Sequence, residues 1–140
     1  MNKRLFLLII SAALALWPSH RARAQVVIIA NLSMGQSDIS QADLRDIFTG
    51  ASSTLKGASV APVLLKPGPV HDEMLTRYIG KSDSAFRASW RSLLFSGQGV
   101  MPRTLDSEAA AVEYVARTPG AIGYIAKSSP HDGVKILAVR

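Results

Sequence analysis

The chain contains no cysteine. That excludes a disulfide scaffold, a thiolate metal site and a cysteine nucleophile, so the fold must hold by packing alone. The long glycine-rich loop ending in Gly-Lys-Ser/Thr, which wraps nucleotide phosphates in backbone amides, is also missing. Ser96-Gly97-Gln98-Gly99 supplies only a lone Gly-x-Gly, and Leu94 stands where a nucleophile elbow requires glycine. Histidine is scarce, with three in 140 residues. His71-Asp72-Glu73 is the densest titratable cluster, but adjacent residues of a helix point in different directions and make a poor metal site. It reads as a polar helix N-terminus, and His131-Asp132 as turn chemistry. Neither a cofactor, a metal nor an enzymatic activity is expected.

The N-terminus follows the grammar of a secretory signal peptide. Lys3 and Arg4 precede an apolar run from Leu5 to Trp17, and Ala22-Arg23-Ala24 forms a small-x-small cleavage site. A retained anchor is the competing reading, yet a membrane span needs roughly 20 apolar residues and this run is shorter. Residues 1–24 are therefore expected to be a leader and residues 25–140 the working domain, delivered to the periplasm or secreted. Subtracting the leader changes the charge argument. The whole chain carries +6, from 16 basic against 10 acidic side chains. Lys3, Arg4, Arg21 and Arg23 all lie in the leader, so the remainder holds 12 against 10, a net +2. No clustered basic face survives, and nucleic acid is excluded as a partner.

About 116 residues after Ala24 suffice for one domain with one core. Val26–Ala30 is a continuous β-branched run, the mark of a strand buried on both faces. Ser40 can cap a helix carrying Leu44, Ile47 and Phe48 on one face, with Gly50 ending it. Val60–Leu65 reads as a second strand, Lys66-Pro67-Gly68-Pro69 as a turn, and Asp72 to Ile79 as part of a second helix stopped by Gly80. Phe86, Trp90, Leu93 and Leu94 recur at helical spacing after a cap at Ser82 or Ser84. A fourth helix starts at Asp106 or Ser107, with Ala109, Val112, Val115 and Ala116 inward. Ala121–Ile125 and Val134–Val139 complete four strands and four helices. Strands separated by helices indicate an α/β layered domain.

One feature carries candidate chemistry. A strand runs through Lys66 into a Pro-Gly-Pro turn and then a helix, whose first N–H groups and dipole attract anions. Asp72, Glu73 and the two prolines oppose this, so a plain strand–turn–helix remains the alternative.

Three segments resemble phosphate-type ABC-transporter substrate-binding proteins. Ile39-Ser40-Gln41-Ala42-Asp43-Leu44-Arg45-Asp46-Ile47-Phe48-Thr49-Gly50 resembles their Leu-Ser-x-x-x-Leu-x-x-Ile-Phe-x-Gly segment. Trp90 to Gly97 resembles a Trp-x-x-Leu-x-Phe-x-Gly stretch, and Pro119-Gly120-Ala121-Ile122-Gly123-Tyr124-Ile125 resembles Pro-Gly-Ala-Ile-Gly-Tyr-Val. The resemblance implies a single three-layer α/β domain, one lobe of a type 2 periplasmic binding protein. It also implies phosphate or another small oxyanion as ligand, with Lys66, Gly68, Val70 and His71 at the site. Lys66 stands near the family's arginine, Gly68-Pro69-Val70 replaces its Ser-Gly-Thr, and Leu55 stands near a usual tryptophan. The implied partner is an inner-membrane permease or sensor. A lone lobe also exposes the face that normally closes on its twin, which suits a partner-binding or assembly role or a homodimer.

Overall fold

In the computed structural model, which describes residues 25–140, the β-branched run forms strand β1 (Val26–Asn31) at the heart of a six-stranded sheet. The segment read as a leader lies outside the described residues. Helix α1 (Gln41–Thr49) follows the short strand β2 (Asp38–Ile39). Its cap is as expected: Ser40 Oγ accepts from Asp43 N at 3.0 Å, and Gly50 turns left-handed at φ 81°. A small hairpin, β3 (Thr54–Leu55) and β4 (Ala58–Ser59), leads into β5 (Ala61–Leu65). Helix α2 (Pro69–Met74) widens into a π-helical turn over Leu75–Ile79. Then come α3 (Asp83–Phe95), β6 (Arg103–Leu105), α4 (Glu108–Arg117), β7 (Ala121–Ala126) and β8 (Val134–Val139).

The sheet order is β2-β8-β1-β7-β5-β6. β1 pairs antiparallel with β7 and β8, whereas β5 runs parallel to β7 and β6, and β2 runs parallel to β8. Alternation along β7 shows the three layers. Tyr124 meets Phe48 of α1 edge-on at 5.8 Å between ring centroids. Its neighbour Gly123 faces the other way, against Val115 of α4. Helices α1, α2 and α3 thus lie on one side and α4 on the other.

The α/β layered class stands, and the four expected strands are joined by β2, β6 and the β3–β4 hairpin. Two helix faces differ from expectation. In α4 the buried residues are Ala111 and Val115, while Ala109 and Ala116 are exposed. In α3 Phe86 and Trp90 are buried, Leu93 is half-buried and Leu94 faces out.

The three family-like segments meet in space. Trp90 Nε1 donates to the Phe48 carbonyl at 2.9 Å, satisfying an acceptor left open at the end of α1. A Cβ on Gly50 would lie 2.8 Å from the Trp90 ring and 2.6 Å from Leu93 Cδ1, so glycine there is needed for space as well as for its φ. Tyr124, from the third segment, closes the cluster against Phe48.

Gly123 permits the close approach of α4 to the sheet, since a Cβ would stand 2.8 Å from Val63 Cγ2 and 3.4 Å from Val115 Cγ2. Gly123→Ala is expected to destabilise by about 1–3 kcal/mol through overpacking. Urea denaturation should show that loss, and adding Val63→Ala should recover part of it.

Candidate functional site

A buried polar relay underlies the end of the sheet where β5 and β6 terminate. The Leu65 N–H donates to the Tyr124 hydroxyl at 2.9 Å. The Tyr124 O–H in turn donates to His71 Nδ1, and His71 Nε2–H donates to Asp83 Oδ1 at 2.8 Å. Arg87 closes the outer end, its Nε 2.9 Å from Asp83 Oδ2. The Asp83 carboxylate can only accept, so the proton of the neutral His71 ring sits on Nε2 and Nδ1 is left to accept from Tyr124. Burial pushes the Tyr124 hydroxyl well above the ordinary tyrosine range. For Asp83 partial burial acts upward, but the hydrogen bonds from His71 and Arg87 outweigh it and hold the carboxyl below its usual value.

The relay ties four elements together: β5 through Leu65, β7 through Tyr124, α2 through His71 and α3 through Asp83. Above it lies a shallow groove of about 240 Å3, lined by Leu65–His71 on one side and Asp106–Glu108 on the other. The groove is therefore walled by the C-terminal ends of two parallel strands and the first turns of α2 and α4, the usual position of ligands in open α/β sheets.

Each expected site residue borders this groove, with one correction. Lys66 is exposed, and Gly68 and Val70 are half-buried. The His71 side chain, expected to contact ligand, is instead only 2% exposed and spends both ring nitrogens inside the relay. Packing explains the inversion: the imidazole fills space between Tyr124 and Phe86, with ring centroids at 6.0 and 6.3 Å. What His71 can offer the groove is its backbone. The first helical bond of α2 runs from Asp72 N to Gly68 O at 2.9 Å, so the Val70 and His71 N–H groups precede it.

Asp106 and Glu108 were not expected here. They arrive because β6, too short to read from sequence, carries the chain back beside β5. Glu108 Oε1 is engaged with the Ala126 N–H and with Ser129 Oγ, the latter at 2.8 Å. Asp106 is exposed and lines the groove together with its one lysine, Lys66, whereas Asp72 is exposed but is not part of the lining. Among the described residues no group of His, Asp and Glu could hold a metal ion. No helix among them is long and apolar enough to cross a membrane.

The chain superposes on a phosphate ABC transporter receptor from Vibrio cholerae with a TM-score of 0.65 at 16% identity, over 82% of this chain and 46% of that one. A phosphate ABC transporter substrate-binding protein with bound phosphate, from Clostridium perfringens, gives 0.64 at 20% identity over 82% and 44%. PstS from Borrelia burgdorferi gives 0.61 at 21% identity over 83% and 47%. The fold is that of one half of a phosphate-type substrate-binding protein. This lobe spans less than half the length of each of these structures. At these identities the likeness is one of fold. No family model and no curated protein matches the sequence.

Proposed function

We propose that the chain is an exported, non-catalytic binding module that takes phosphate or a similar small oxyanion weakly, for delivery to an inner-membrane permease or sensor. The observation that carries this reading is the groove itself. It joins Lys66, the open N–H groups at the start of α2 and the capped start of α4 at the strand ends of a lobe whose solved counterparts are phosphate-binding proteins. The one histidine beside the groove has both ring nitrogens engaged inside the relay and is not free to act as a base there.

Affinity follows from the balance of charge and donors. Lys66 brings one cation, but Asp106 lines the same groove, and Pro67 and Pro69 supply no N–H. Such a site binds phosphate with a Kd on the order of millimolar, equivalent to about 4 kcal/mol. Lys66→Ala is expected to abolish that binding, measured by phosphorus or amide NMR titration; binding that survives unchanged would remove the groove as the site. Gly68 is extended and a Cβ there would meet only the Lys66 carbonyl, at 4.0 Å, so a hydroxyl can be added without strain. Gly68→Ser should tighten phosphate binding by roughly threefold to tenfold, the worth of about one hydrogen bond.

A second reading, a partner-binding module that keeps the fold without a ligand, is favoured by Phe95 and Val100, which are 91% and 86% exposed. Size-exclusion chromatography at high concentration separates the two: a monomer with phosphate-dependent amide shifts supports the first.

A further inference from the structure

At the opposite end of the sheet from Lys66 lies a second cavity, of about 470 Å3. Its size falls within the range of about 300–1,000 Å3 typical of small-molecule sites. Ile47 of α1, Val63 of β5 and the ring of Trp90 form its apolar walls, together with Val100 and Met101 from the loop between α3 and β6. The indole N–H is committed to the Phe48 carbonyl, so Trp90 offers the cavity only ring surface.

Arg103 is the one charged residue lining this space. Its guanidinium lies over the Tyr114 ring, 5.0 Å from the centroid, which holds it in place. Among the described residues no carboxylate pairs with it: the ion pairs there involve His71, Arg87, Arg117 and Arg140. An apolar cavity with a single fixed guanidinium and no acid is the chemical complement of an amphipathic monoanion. Phosphate is a poor occupant, because apolar walls would strip its hydration and return one cation.

We propose that this cavity binds a small monocarboxylate with an apolar body, the carboxylate paired with Arg103 and the body against Trp90, Val63 and Met101. The loop at its mouth is built to cover such a ligand. Gly97 and Gly99 have φ of 73° and 111°, and Val100 is presented almost fully to solvent beside the opening. An apolar tail would bury that side chain on binding.

In the full chain carrying Trp17→Phe, Trp90 is the only tryptophan and reports on the site by its emission. Titration with octanoate below its micellar concentration is expected to change that emission saturably. Octanol, with the same tail and no charge, should bind at least tenfold more weakly, and so should octanoate to Arg103→Met. Arg91→Ala, an exposed arginine of α3 outside the cavity, should bind octanoate as before. Equal affinity for octanoate and octanol would overturn the proposal without relying on any variant at the site. So would the absence of saturable binding, an Arg103→Met chain that binds octanoate unchanged, or a Trp90 emission that depends on protein concentration alone, which would mean a second copy occupies the cavity.

Discussion

Trp90→Ala is expected to cost about 3–5 kcal/mol, the range for truncating a large buried aromatic. Trp90 is 4% exposed and stands where α1, α3 and the left-handed turn at Gly50 converge. Two losses combine. Removing the ring opens a void against Gly50 that the left-handed turn cannot follow inward, and the Phe48 carbonyl loses its donor. Trp90→Phe separates them, since it keeps most of the volume and forfeits only the indole bond, for about 1–2 kcal/mol. The alanine variant should melt roughly 10–20 °C lower than the parent. A shift of only a degree or two would mean that α3 docks on α1 by other contacts. A domain with a typical margin of about 5–15 kcal/mol has little room for such a loss.

The difference between what the sequence discloses and what it hides follows from the range of the interactions. Helix α1 is legible end to end because Ser40, Leu44, Ile47, Phe48 and Gly50 are local signals that agree with one another. Strand β8 is legible because Val134–Val139 is six residues long and follows the turn at Pro130 to Gly133. Strands β2 and β6 are hidden, since two or three residues have no period to detect. The face of α4 misreads because alanine suits both faces of a helix and leaves the phase to two valines. Only contacts show that Val115 is the central buried one. Asn31 is another case. It ends β1 and reaches the last turn of α4, donating to the carbonyls of Val115 and Ala116 at 2.8 and 3.1 Å, across sequence separations of 84 and 85. The groove was partly legible, as Lys66, Gly68 and Val70 belong to one short segment. The inward turn of His71 was not, because its neighbours in sequence are Asp72 and Glu73 while its partners are Asp83 and Tyr124. The available clue was a tyrosine inside a strand otherwise built of apolar and small residues, whose buried hydroxyl requires a partner.

Tyr124→Phe should be the second costly change, at about 2–4 kcal/mol. It deletes one oxygen and strands two buried groups, the Leu65 N–H and His71 Nδ1, each worth about 1–3 kcal/mol when left unpaired. The relay also makes stability depend on pH at two ends. Asp83 is held below its usual range in the folded chain, so its contribution is present above the unfolded value of about 4 and is lost as pH falls through the folded value. Tyr124 is pushed upward by burial, so its contribution is present below the unfolded value of about 10 and is lost as pH rises beyond it. Urea unfolding at pH 3, 5, 7 and 10.5 should therefore show a loss of stability at pH 3 and another at pH 10.5. Asp83→Asn should flatten the acid decline and Tyr124→Phe the alkaline one. A tyrosine variant that keeps full stability and the parent's alkaline profile would show that the hydroxyl does not hold the strand end. If the hydroxyl does hold it, Tyr124→Phe should also weaken phosphate binding at the groove without touching the ligand. Leu65 directly precedes Lys66, so loosening its N–H frees the one cation on which the anion site depends.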